Sequence, residues 1–342
     1  MPHHPTRRAS LALLTAGLLP QARATTGSWK PAKPEFIVPS GAGAALDSAA
    51  RKLTELLARE GLTESFVVSN RSGAHSIQAL ETLQRQSGNA SLLMTLSSGY
   101  VTSVAQGALA PRLQEITPLA TLLREFTTVA VRADAPIRDA AGLIATLQRD
   151  PGALSIGIAT TLGNHIHLGI AQPLQQAGVA VRGLRVVPYK SSAESTSALV
   201  GGHLDVVSAT TPNLLPYLQN QRVRVIAIAA DERLAGAFAD APTWKEQGVD
   251  YVSQSFQGVA TAARVAPEQK AFWVRAFAQV TRLPEWQAFL ALNQWKPHFL
   301  GPQETQAALQ QQIAQTRSLL AALGLEGTDP TGQAQAGAAP RT

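Results

Sequence analysis

The chain has no cysteine in its 342 residues. Disulfides, thiolate metal sites, cysteine nucleophiles and a lipidated N-terminal anchor are therefore excluded. Aromatic residues make up 5% of the sequence, and the basic residues are scattered without aromatics between them, so nothing argues for nucleic acid as a partner. Charge of one sign is also scarce: 29 Lys+Arg against 23 Asp+Glu leave +6. Beyond the first 24 residues no run is long and apolar enough to cross a bilayer.

Those first 24 residues read as an export signal. Arg7 and Arg8 form a basic start, Ser10 to Leu19 a short apolar run, and Ala22-Arg23-Ala24 an A-x-A cleavage site. TRRASL also resembles a twin-arginine signal, with Ser10 where a large apolar residue is usual. Cleavage after Ala24 removes three arginines and no acid, so the mature balance is 26 minus 23, or +3. A soluble, exported product with no membrane insertion is expected.

What is present is an alternation of strand-like and helix-like segments, which predicts α/β layering with mostly parallel sheets. Residues 36–47, FIVPSGAGAALD, read as a buried strand, a loop of small residues and a helix start; Leu46, Ala49, Leu53, Leu56 and Leu57 then recur at helical spacing up to a stop at Gly61. The loop lacks the Lys-Ser/Thr of a P-loop and the G-x-G-x-x-G of a dinucleotide site. Exposed N–H groups at such a helix start suit a carboxylate or similar small anion, although an ordinary strand–turn–helix connection reads the same way. Residues 154–187 repeat the design: strand, loop Ala159 to Asn164, helix, Gly178, second strand. Two similar lobes follow, with residues 28–128 and 252–326 in lobe one, 129–251 in lobe two, and a disordered tail over 327–342. An interior proline, Pro173, predicts a kink or restart in the second helix.

Several segments, in this order, resemble the TctC/Bug family of solute-binding proteins of tripartite tricarboxylate transporters: PSGAGAALD ending at Asp47, NRSGAHSI (Asn70 to Ile77), VPYKSSAESTSALVGGHLDVV (Val187 to Val207), PTWKEQG (Pro242 to Gly248) and SFQGVATAA (Ser255 to Ala263). The similarity runs over nearly the whole mature chain. It departs at Ser40 and Ala42, where the family commonly has prolines, and at Ser72 and His75. The resemblance implies a type II periplasmic-binding-protein-like fold with a ligand cleft between the lobes. It also implies a small organic carboxylate as ligand, delivery to membrane permease subunits, a periplasmic location, a monomer, and no cofactor.

The candidate ligand residues come from the loops at strand ends. In lobe one they are Ser40, Gly41, Ala42, Gly43 and Ala44, with Asp47 either capping its helix or touching ligand, and Ser97 and Ser98 after the strand Leu92 to Leu96. In lobe two they are Thr160, Thr161, Gly163, Asn164 and His165, then Tyr189, Ser208 and Thr210. His165 and His167, two apart, do not share a helix face, and no nearby acid completes a metal site; His167 reads as surface or packing. Lys190 reads either as steering anions or as a solvated side chain. Trp244, Trp273, Trp286 and Trp295 read as packing. No convincing Ser-His-Asp set marks an enzyme. A co-receptor for a membrane sensor kinase fits the sequence as well as transport does.

Overall fold

A computed structural model describes Met1 and residues 29–71, 76–109, 114–253 and 255–325. The expected export signal, the departures at Ser72 and His75, and the expected disordered tail lie outside the described residues.

The chain forms two sheets. It builds β1 (Glu35–Val38), β2 (Val67–Asn70), β3 (Leu92–Ser97) and β4 (Ile116–Arg124) in the first. It then crosses to build β5 (Thr127–Arg132), β6 (Ser155–Ala159), β7 (Arg185–Tyr189), β8 (Val206–Thr210) and β9 (Val223–Ile228) in the second, and returns for β10 (Phe256–Ala262) and β11 (Lys296–Leu300). The orders are β11-β4-β10-β3-β1-β2 and β7-β6-β8-β5-β9. Both sheets are mixed. In the second, β6, β7, β8 and β9 share one direction and β5 opposes them. In the first, β10 lies antiparallel between β3 and β4, and β11 is antiparallel to β4. The strands that follow a crossing, β5 and β10, are both reversed, as is β11 at the edge of the first sheet. Glu125 N–H donates to Ser255 O at 3.0 Å, which ties the outward crossing to the return.

Helices cover the sheets: α1 (Ala45–Arg59), α2 (Ile77–Arg85), α3 (Ser98–Ala105), α4 (Ala140–Arg149), α5 (His165–Gln176), α6 (Ser192–Val200), α7 (Thr211–Gln219), α8 (Pro267–Val280), α9 (Pro284–Leu292) and α10 (Pro302–Leu323). Helices α1 and α5 end alike. Gly61, at φ +66°, lets Leu62 N–H reach Leu57 O and Gly61 N–H reach Ala58 O; Gly178, at φ +81°, does the same for Val179 and Leu174 and for itself and Gln175. Each is a left-handed glycine that satisfies carbonyls the last helical turn leaves open.

Pro173 does not break α5, contrary to expectation. The helix runs on to Gln176, and Ala177 N–H donates to Pro173 O. Ile166, Leu168, Ile170, Ala171 and Leu174 are buried in the lobe-two core, and that packing outweighs the one backbone bond lost. Gly169 lets the helix seat against Thr127, whose side chain fills the space a Cβ would take.

The tryptophans are core. Trp244 and Trp273 are fully buried, Trp286 and Trp295 nearly so, and Trp273 Nε1 donates to Ala90 O at 2.7 Å. Helix α10 packs on both lobes. Leu309 and Ile313 pack in lobe one, while Leu319, Leu320 and Leu323 pack in the lobe-two core. Arg182 Nε and Nη2 cap its last carbonyls at Ala322 and Ala321, both at 2.9 Å. No helix among the described residues is long and apolar enough to cross a membrane.

Candidate functional site

Two cavities open between the lobes and share Thr102 of α3 and His165 of α5 as a common wall. The first, of about 350 Å³, lies where loops meet: Pro39 after β1, Ser76, and Gly99, Ser103 and Gln106 along α3 face Thr160, Thr161 and Asn164 before α5. The second, of about 320 Å³, lies between α3, α5, the return crossing at Ser253 and Ser255, and Gln312 of α10. Gln106 Nε2 spans the lobes to Leu162 O at 3.3 Å.

The lobe-two loop is held by neutral groups. Asn164 is the N-cap of α5: its Oδ1 accepts from the N–H groups of Ile166 and His167, and its Nδ2 donates to Thr160 Oγ1 at 2.8 Å and to Ala159 O. The Asn164 side chain is thus committed internally rather than offered to a ligand. Gly163, at φ +78°, donates its N–H to His167 Nδ1 at 2.9 Å. A Cβ at Gly163 would press on the side-chain ends of Gln106 and Leu320, but it is the left-handed φ that favours glycine there. Thr160 itself sits at φ +60°, with its N–H on Tyr189 O at 2.7 Å. Because Thr160 Oγ1 accepts from Asn164, its own O–H is left for another partner. The Thr161 hydroxyl and the His165 ring have no protein hydrogen bond among the described residues. Burial pushes both His165 and His167 down to about 4, so the two imidazoles are neutral.

The lobe-one loop differs. Gly43 donates its N–H to Asp47 Oδ2 at 2.8 Å, and Ala44 N–H bonds Gly41 O, so two of the N–H groups expected to cradle an anion are already used. Asp47 is buried and also accepts from Arg51 Nε at 2.9 Å and Asn70 Nδ2 at 2.9 Å. Burial would raise its carboxyl, but the bonds from Arg51, Gly43 and Asn70 win and hold it below the ordinary carboxylate range. Asp47 therefore fixes its own loop and helix. Gly41, Ala42, Gly43 and Ala44 are exposed beyond Pro39, and Ser40 is half-buried.

Ser98 opens α3 directly from β3, where the sequence suggests a loop, and it lines the second cavity. Among the described residues, neither cavity lining includes Ser97, Tyr189, Ser208 or Thr210. Ser97 is buried at the end of β3. Tyr189 packs on the lobe-two core, Ser208 Oγ donates to Ile166 O at 2.8 Å, and Thr210 Oγ1 accepts from Asn213. His167 is buried packing. No group of three or more His, Cys, Asp or Glu among the described residues converges to hold a metal.

Sequence reasoning missed the rest of α3. Ser98, Thr102 and the C-cap Gln106 stand four apart, a one-face helical spacing that reading Ser98 as a loop residue concealed. It also missed Glu125. That side chain, 5% exposed at the outward crossing, accepts from Gln257 Nε2 and from Ser255 Oγ at 3.4 Å. Ser98 Oγ donates to Ser255 Oγ at 3.2 Å and accepts from Phe256 N–H at 3.2 Å. Burial drives the Glu125 carboxyl up, against the bonds from Gln257 and Ser255.

Residues 49–325 match the model of the tripartite tricarboxylate transporter family receptor. A protein of Cupriavidus necator, "UPF0065 protein in gbd 5'region", is 25% identical over 332 residues, covering 94% of this chain and 98% of the relative. A TctC solute-binding protein from Polaromonas has the same two-lobed fold at a TM-score of 0.70 and 20% identity, covering 84% of this chain and 98% of that one. R. palustris Rpa4515, solved with adipate, superposes at 0.74 and 22% identity, covering 85% and 97%.

Proposed function

Because the chain belongs to the tripartite tricarboxylate transporter receptor family, we propose that it captures a small organic carboxylate between its lobes in the periplasm and hands it to the permease subunits of such a transporter. The observation that carries this reading is the wall before α5. Thr160 and Thr161 present hydroxyls, and neutral His165 a ring N–H, at the N-terminus of a twelve-residue helix. The dipole and these donors favour an anion without a buried counter-cation, whose desolvation would oppose binding. Rpa4515 with adipate supports the same ligand class.

Capture proceeds by hinge closure about the Glu125 and Ser255 crossings, with one lobe loading first and the other excluding water. Of the residues named from the sequence, Thr160, Thr161 and His165 contact the ligand through side chains, and Ser98 from the second cavity. The exposed Ser40–Ala44 loop covers the entrance.

A native-state binder gains about 2.7 kcal/mol at a hundredfold excess over Kd. A thermal-shift panel of mono-, di- and tricarboxylates is expected to contain at least one compound that raises Tm, with compaction in small-angle scattering. A panel that changes neither overturns the reading. Export is checked by N-terminal sequencing of the periplasmic protein, with Thr25 expected first.

A further inference from the structure

We propose that an anion seated against Ser98 draws a proton onto Glu125, so that solute capture is coupled to proton uptake. The proposal rests on the carboxylate reading above and adds a positioning residue to it.

The argument is the direction of one hydroxyl chain. Ser98 and Ser255 both line the cavity, bonded to each other, and Glu125 lies behind Ser255. When Glu125 is ionised it can only accept. Ser255 then spends its single proton on Glu125 Oε2, and Ser98 spends its own on Ser255. Phe256 N–H occupies one lone pair of Ser98 Oγ. Ser98 and Ser255 thus face the cavity with no proton to give, and a carboxylate meets only oxygen lone pairs on those two side chains. When a proton from solvent adds to Glu125 Oε2, the chain reverses: Glu125 donates to Ser255, Ser255 donates to Ser98, and the Ser98 O–H turns to the cavity. Ser98 Oγ then accepts from both Phe256 N–H and Ser255, so every site on it is used. The O–H formed on Glu125 is the only covalent change.

The hydrogen bonds that act on the Glu125 carboxyl come from Gln257 and Ser255. The titratable groups on the elements around it include Arg124 on β4, Lys296 and His298 on β11, Tyr100 on α3, His165 and His167 on α5, Glu304 and Arg317 on α10, and Asp250 and Tyr251 in the return crossing, where Asp250 also lines the cavity. Arg124 acts on Asp231 and His298, and Lys296 on Asp231 and Glu232. Tyr100 and Tyr251 are pushed up by burial and stay neutral, as does His165. An ionised Glu125 therefore repels an anion across two hydroxyls, and a neutral one lends it a donor.

The test is calorimetric titration of the chain with adipate, malate and citrate in buffers of different ionisation enthalpy, from about pH 5.5 to about pH 8. The expected result is an apparent enthalpy that tracks the buffer, with uptake of up to one proton. Affinity falls by up to about tenfold per pH unit once Glu125 ionises in the free protein. In Glu125→Gln the amide donates to Ser255 permanently, so proton uptake and the pH slope both vanish. Ser255→Ala removes the hydroxyl that links Glu125 to Ser98 and to the cavity and abolishes the same slope, which keeps the test decisive if Glu125→Gln fails to fold. Infrared difference spectra are expected to show a protonated carboxyl in the complex that Glu125→Gln lacks. Buffer-independent binding by the unmodified chain, uptake that persists in Glu125→Gln, or an ionised Glu125 in the complex overturns the coupling and leaves the carboxylate reading standing. If none of the three acids binds, the carboxylate reading falls for these acids and the coupling falls with it.

Discussion

In lobe one the chain leaves β1, turns at Gly43 and hands that N–H to the side chain four residues on, Asp47. In lobe two it leaves β6, turns at Gly163 and hands that N–H to the side chain four residues on, His167. Both glycines sit at φ +78°. The backbone solution is the same and the acceptor is not. Asp47 is a carboxylate, so the positive end of α1 already has its anion, supplied by the chain and shared with Arg51 and Asn70. His167 is a neutral imidazole and Asn164 a neutral cap, so the positive end of α5 is unmet. Two equal-looking loops are thus unequal: one carries its own carboxylate at the helix start and the other only neutral groups.

Acid should separate the two most strongly. A histidine whose folded pKa lies near 4 against 6.5 when unfolded leaves stability intact above about 6.5 and withdraws it as pH falls toward about 4. Asp47, held low, keeps its contribution until the pH drops below its ordinary 3.8. Hydrogen exchange between those limits is expected to quicken in α5 before α1; equal loosening would remove the distinction. Asp47→Ala comes next. It strands Gly43 and Asn70 as donors, costing about 2 kcal/mol with Arg51 half-exposed and screened, read as a lower urea midpoint with carboxylate affinity little changed. Asn164→Ala is expected to cost about 1 kcal/mol through the lost cap and, unlike Asp47→Ala, to weaken binding by disordering Thr160. His167→Asp imports the lobe-one acceptor into lobe two. It should keep the Gly163 bond yet weaken anion binding by about tenfold; unchanged affinity would break the comparison. Thr160→Gly is the smallest. Relief of φ +60° offsets the lost hydroxyl bond, so Tm moves by only a degree or two, while affinity falls slightly.

Much of this was legible in the residues. The apolar spacing of Leu46 to Leu57 and the glycine at 61 fix α1 almost to its ends, and the matching run to Gly178 marks α5, because a 3.6-residue period and a left-handed stop are local properties. The site was legible only in part. Thr160, Thr161 and His165 meet across the cavity from α3, but Asn164, Gly43 and Asp47 turned inward. A sequence shows which groups can bond but not which bonds the loop has already made. Tyr189 ends its strand as expected, but β8 runs two residues past Ser208 to Thr210, and these side chains go to the core, to Ile166 O and to Asn213 instead of lining the cleft cavities. Glu125 gave no signal at all, since its meaning comes from Ser255 and Gln257, 130 and 132 residues away.

Helix α10 changes how the two halves are coupled. At 1.5 Å per residue its 22 residues reach about 33 Å, from Thr305, which accepts from Thr121 N–H in one half, to the leucines and Arg182 of the other. The helix therefore adds to the two backbone crossings a further joint, a stiff rod set apart from them. Such a rod resists twisting far more than it resists a bend about its own ends, so it selects the axis of any swing. It also means that a load applied after Leu325, whether a fusion partner or a surface tether, is felt first by the half the backbone had already left.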